Sequence, residues 1–127
     1  MMDVIGMPKR WSQPVPLEIT QRAMNGIHVL ALRGRLALGD ESNGLRTAID
    51  QLLVAGRTWI VLNLEHLNYV DSAGLGALIE AQRKTKATGG RLKLCHIGPK
   101  LKQALELAQL LPLFESYPTE TAALASF

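Results

Sequence analysis

Cysteine is nearly missing from this sequence of 127 residues: Cys95 stands alone. An intrachain disulfide framework is thereby excluded, which fits a reducing compartment. No second Cys or His stands at ligand spacing from Cys95, and His96 beside it makes no site alone. His28 and His66 also lack partners, so no metal centre and no cofactor is expected. Cys95 reads as a small buried strand residue. No apolar run reaches the roughly 18 residues of a membrane span. Residues 1–16 lack the apolar core of a secretion signal, so a cytoplasmic location is expected. A net charge of +3 is too mild to argue for nucleic acid. Arg83 to Lys102 holds seven basic residues and no acidic one, but no aromatic residue interleaves with them. They read as a solvated face, with no direct nucleic-acid contact.

Hydrophobic residues make up 47% of the chain and charged residues 20%, enough for one globular domain with its own core. Residues 1–16, with Pro8, Pro14, Pro16 and Trp11, read as an N-terminal arm, and 17–127 as the domain. Leu17 to Arg22 alternates as a half-exposed strand. Asn25-Gly26 is a hairpin pair leading into a second strand, Ile27 to Leu32. Gly34 to Asp40 reads as a loop. Ser42 to Ala55 reads as a helix with Leu45, Ile49, Leu52 and Leu53 on one face. Trp59 to Leu64 is apolar on both sides, as in a central strand, and Glu65 to Val70 reads as a loop. A helix follows Asp71-Ser72, with Leu75, Leu78 and Ile79 as its stripe, ending near Gly89-Gly90. Leu92 to Ile97 is a strand. Pro99 opens a helix with Leu101, Ala104, Leu105 and Ala108 inward, which Pro112 breaks. A short strand, Glu115 to Tyr117, and a helix, Thr119 to Ser126, close the chain. The order ββ-α-β-α-β-α-β-α predicts an α/β fold: a mixed, mostly parallel sheet of about five strands with about four helices.

Chemistry concentrates at Val70-Asp71-Ser72-Ala73-Gly74-Leu75-Gly76, where a buried strand gives way to a helix. Plain helix capping by Ser72 or Asp71 explains part of it. A phosphate loop is disfavoured, since no Lys follows the glycines and the third glycine of a dinucleotide fingerprint is missing. A nucleophile elbow is disfavoured as well: Val70 stands where a glycine is needed, and no Asp follows Ser72. The only later histidine, His96, is placed inside a strand.

The stretch Ile60-Val61-Leu62-Asn63-Leu64-Glu65, the Asp-Ser-x-Gly-Leu-Gly motif at 71–76, Gly89-Gly90 and Leu94-Cys95 together resemble the STAS domain of bacterial anti-sigma factor antagonists. The resemblance runs from about Leu17 to Phe127. It implies that Ser72 is phosphorylated by an anti-sigma factor that is a serine kinase with an ATPase fold. It also implies that a PP2C-type phosphatase reverses this, and that the unmodified protein binds the anti-sigma factor and frees a sigma factor. On that reading the protein is a non-enzymatic binding module, a monomer when free. The partner surface is expected around Ser72, from Asp71, Gly74, Leu75, Tyr69 and Val70. Arg35, Leu36 and Ala37 of one loop and the Gly98-Pro99 turn are expected on the same rim. Ala37 departs from the family, which often has an acid there. Ala73 stands where many members have a second hydroxyl, leaving Ser72 as the one candidate. A STAS module of a stress-signalling complex, or the cytoplasmic part of a transporter, is the alternative. A small serine hydrolase is the remote one.

Overall fold

A computed structural model describes residues 17–127; the N-terminal arm, 1–16, lies outside the described residues. Five strands form one sheet in the order β1 (Glu18–Met24), β2 (Ile27–Leu36), β3 (Trp59–Val70), β4 (Arg91–Cys95) and β5 (Glu115–Tyr117). β1 runs antiparallel to β2, and the remaining neighbours are parallel. The helices are α1 (Asp40–Val54), α2 (Ser72–Ala87), α3 (Pro99–Leu107) and α4 (Glu120–Ala125). The expected mixed sheet with four helices is therefore found.

Two strands are longer than the sequence implies. β2 continues through Gly34-Arg35-Leu36 and β3 through Glu65 to Val70, where loops were expected. Polar residues and a glycine break the apolar pattern there, yet Arg33 pairs with His66, Gly34 with Leu67, Arg35 with Tyr69 and Leu36 with Val70. The register slips between Ala31 and Arg33 and again between Gly34 and Arg35, and Gly34, at φ 103°, supplies the backbone freedom. β4 is shorter than expected. It ends at Cys95, because His96 turns the chain at φ 56°. His96 is thus past the strand, not within it.

The larger core lies between the sheet and α1, α2 and α3. It is built from Leu30, Leu32, Ile60, Leu62 and Leu94 on the strands and Leu45, Ile49, Leu78 and Leu105 on the helices. α2 lies closest to the sheet through small residues: Gly74, Ala77 and Ala81 are buried along with Leu78 and Thr85. The expected stripe of Leu75, Leu78 and Ile79 is therefore corrected, since Leu75 and Ile79 are only half-buried at its edge. α3 is corrected similarly. Leu105 is its one buried residue, Leu101 is half-buried, and Ala104 and Ala108 are exposed. α3 thus covers the core only through Leu105 and the half-buried Leu101, and this thin cover leaves a groove beside α2.

On the other face, among the described residues, α4 is the helix that packs, over Ile27, Val29, Val61 and Cys95, with Tyr117 and Phe127 beside it. Both ends of α4 are tied down. Glu120 at its start accepts hydrogen bonds from Arg22 and from Asn63, the latter at 2.9 Å. At its end, Lys93 is buried to 2% exposure, and its ammonium donates to Ser126 O at 2.9 Å and Ser126 Oγ at 2.8 Å. The same ammonium sits 4.4 Å from the centre of the Phe127 ring. Lys93 is therefore not part of a solvated basic face, a correction to that expectation. Its position on the inner side of the sheet, beneath the last turn of α4, puts a cation at the helix terminus that favours one. Lys93→Met keeps the packing and removes the donors, so urea unfolding should show a loss of about 1.5–3 kcal/mol. An unchanged midpoint would mean that these bonds contribute nothing net.

Candidate functional site at the start of helix α2

The bulged ends of β2 and β3 carry the chain out to a corner. There Asp71 and Ser72 turn it into α2. Asp71 is the N-cap: its Oδ1 accepts from Gly74 N at 2.8 Å, and its Oδ2 accepts from Leu38 N at 3.0 Å. Asp71 N in turn donates to Leu36 O at 3.3 Å. One carboxylate thus satisfies an orphan amide of the helix and pins the loop after β2 to the same corner. The hydrogen bonds from Gly74 and Leu38 hold its carboxyl below the usual range.

Since Asp71 does the capping, Ser72 does not. Ser72 is the first residue of α2 and is exposed, and no hydrogen bond among the described residues engages its hydroxyl. The sequence left the cap open between the two residues, and the geometry gives it to Asp71.

The structure brings the residues expected at the rim to one corner, and they differ in what each offers. Tyr69 is 47% exposed, with the Arg35 guanidinium 4.5 Å from its ring centre. Val70 and Leu75 are half-buried, and Gly98 and Pro99 are exposed beside the same groove as Ser72. Leu36 and Ala37 are buried at 0% and 5%, so they shape the rim from beneath. Gly74 is buried too, and the close backbone approach it permits is an internal one. A Cβ there would lie 2.1 Å from Leu36 O. Nothing lies within 4 Å of the corresponding point at Gly76.

Sequence reasoning missed Leu38, which is 77% exposed next to the corner. It also missed a groove of about 740 Å³ between the start of α2 and α3, lined by Leu64, Leu67, Tyr69, Val70, Ser72, Leu75, Leu101 and Ala104 among others. The signal for Leu38 was an unpartnered apolar residue before Gly39. For the groove it was the weak apolar pattern of α3.

Acid should act on this corner. A carboxylate whose folded pKa is depressed contributes stability that is complete above its unfolded pKa, about 4. That contribution is lost as pH falls through the lower, folded value. Asp71 is such a group. Glu120 is another: burial pushes its carboxyl up, but hydrogen bonds from Arg22 and Asn63 outweigh burial and leave it lowered. Asp71→Asn should therefore be less stable than wild type at neutral pH and lose less stability on acidification below about pH 4. Urea unfolding across that range checks this, and parallel curves for the two proteins would contradict it.

Among the described residues no group of three or more His, Cys, Asp or Glu could hold a metal, and no helix is long and apolar enough to cross a membrane. His96 does not join Ser72. It lines a separate hollow with Glu65 and Tyr117. The Cys95 thiol is pushed up to about 12, chiefly by burial and then by Glu120 and Glu65, so it is no nucleophile in the folded state.

A five-stranded mixed sheet with four helices is the architecture of a STAS domain. The STAS domain profile matches residues 18–123, and the chain belongs to that family. An anti-sigma F factor antagonist from Paenibacillus polymyxa is 27% identical over 109 residues, covering 85% of this chain and 92% of the relative. The fold is shared with the Bacillus cell fate determinant SpoIIAA, solved in its phosphorylated form, at a TM-score of 0.69 and 24% identity, covering 86% of this chain and 98% of that one. It is shared equally with a sulfate transporter family protein from Wolinella succinogenes, at a TM-score of 0.72 and 19% identity, covering 83% and 87%.

Proposed function

We propose that this protein is an anti-sigma factor antagonist switched by phosphorylation of Ser72. The observation that carries the reading is the exposed hydroxyl at the first residue of α2, which no hydrogen bond among the described residues engages because Asp71 makes the cap. A kinase can reach that oxygen without first breaking a helix cap. The unmodified corner, with Tyr69, Leu38 and Leu75 uncovered or partly so, docks onto a cytoplasmic anti-sigma factor that is a serine kinase with an ATPase fold. The sigma factor is thereby released. Phosphate on Ser72 ends the complex, and a PP2C-type phosphatase restores it. Likeness to the Paenibacillus polymyxa antagonist supports this role.

The test is intact mass after incubation of the wild type and Ser72→Ala with ATP and a soluble extract of the source cells. One added phosphate on the wild type alone is expected. No phosphate on either, with a control substrate modified in the same extract, would overturn the reading.

The shared fold with the Wolinella succinogenes transporter family protein favours a second reading, a STAS module attached to a transporter. That module would sediment with membranes and gain no phosphate at Ser72. The hydrolase alternative lacks support, because His96 and Ser72 line different hollows.

A further inference from the structure

The groove beside Ser72 reaches down to the core, since Leu64, only 2% exposed, lines it. Leu67 and Val70 at the end of β3 and Leu75 of α2 form one wall, and Leu101 and Ala104 of α3 form the other. Leu67, Val70, Leu75 and Leu101 are half-buried, so each keeps apolar surface in water that an occupant would cover. The groove's volume, about 740 Å³, is that of a small-molecule site.

Two charged side chains border the groove, Asp71 and Lys100. Asp71 is already engaged: one carboxylate oxygen accepts from Gly74 N at 2.8 Å and the other from Leu38 N at 3.0 Å. Lys100 is exposed, and no ion pair among the described residues includes it. The first turn of α3, where it stands, carries no acid. A cation without a counter-charge thus stands over an apolar floor.

We propose that this groove binds a small amphipathic anion, an alkyl carboxylate of medium length, with its chain on the leucine floor and its head at Lys100. A neutral apolar ligand would leave Lys100 unused, and a cationic one would meet it as a like charge. A bilayer surface needs a protruding apolar face, whereas these leucines line a recess. Seated there, the ligand lies against Ser72 and covers the Leu75 edge, so it slows phosphorylation and gives the switch an input. This consequence rests on the function proposed above; the binding itself does not.

Octanoate is the probe, titrated into the full-length chain labelled at leucine methyls. Saturable shifts are expected at Leu64, Leu67, Leu75 and Leu101, while Leu45 and Leu52, under α1, stay in place. Lys100→Glu, which puts an acid where a helix start tolerates one, should weaken octanoate about fivefold and leave the affinity for octanol unchanged. Ala104→Trp fills the groove from an exposed position and should abolish the shifts with either ligand. No shift at millimolar octanoate would overturn the proposal. An octanoate affinity that ignores Lys100→Glu would overturn it too, by making the groove a plain apolar slot. So would shifts that spread to Leu45 and Leu52, or binding to phosphatidylglycerol vesicles with no response to octanoate, which would assign the face to a membrane. No kinase or phosphate enters these titrations, so they stand or fall separately from phosphorylation of Ser72.

Discussion

Gly74→Ala should destabilise the domain by about 3 kcal/mol or more, while Gly76→Ala, two residues on in the same helix, should stabilise it by about 0.5–1 kcal/mol. At position 74 an added Cβ would meet Leu36 O at 2.1 Å, Leu36 C at 2.8 Å and Leu36 Cγ at 3.0 Å. The obstacle is a backbone carbonyl, so no side-chain rotation relieves it. Nor can the carbonyl retreat freely: Leu36 pairs with Val70 in the sheet, and its oxygen accepts the Asp71 amide. Either α2 or the end of β2 must move by about an ångström in a close-packed interior. At position 76 there is open space, and only the helix preference of alanine over glycine acts. Urea unfolding of the two variants against wild type reads both signs. If Gly74→Ala unfolded at the wild-type midpoint, the close approach of α2 to β2 would be wrong. Loss of 3 kcal/mol is a large share of the roughly 5–15 kcal/mol of an ordinary domain, so a low yield of soluble Gly74→Ala is part of the expected result.

Phosphate on Ser72 should lower affinity for the kinase partner at least 100-fold while leaving the free domain's backbone unchanged beyond the first turn of α2. A phosphoserine brings about 1.5–2 negative charges. At the first turn the helix terminus tolerates them, while Asp71 repels them near water. Within a formed interface the same charge is stripped of solvent, and an unpaired buried charge costs several kcal/mol. Since about 1.4 kcal/mol is a factor of ten, two or more orders of magnitude follow. Titration calorimetry with the kinase isolated by the extract assay, using modified and unmodified protein, measures the first half. Backbone amide spectra of the two free forms measure the second. Changes spreading into β2 or α3 would replace this electrostatic switch with a conformational one.

Much of the corner was legible in the sequence. The Asp71-Ser72 junction, the hairpin at Asn25-Gly26 and the central strand from Trp59 rest on local chemistry, namely caps, positive φ and apolar runs. What was not legible depends on partners distant in sequence. Leu36 and Val70 look like loop residues until each is the other's sheet neighbour. Lys93 looks like one cation among seven until α4 folds over it and offers a carbonyl, a hydroxyl and an aromatic ring. Gly74 and Gly76 look alike in the motif, and only the position of β2 separates a glycine that cannot change from one that can.

α4 is a short helix held at two points, Glu120 and Lys93, and together with Tyr117 and Phe127 it covers the face of the sheet that carries the Cys95 thiol. Such a flap can lift as a unit at a free energy well below that of global unfolding. The thiol is then a built-in clock. The rate at which a small alkylating reagent captures Cys95 under native conditions should then count the openings of this cover, and a rate equal to that of global unfolding would show that it does not lift alone.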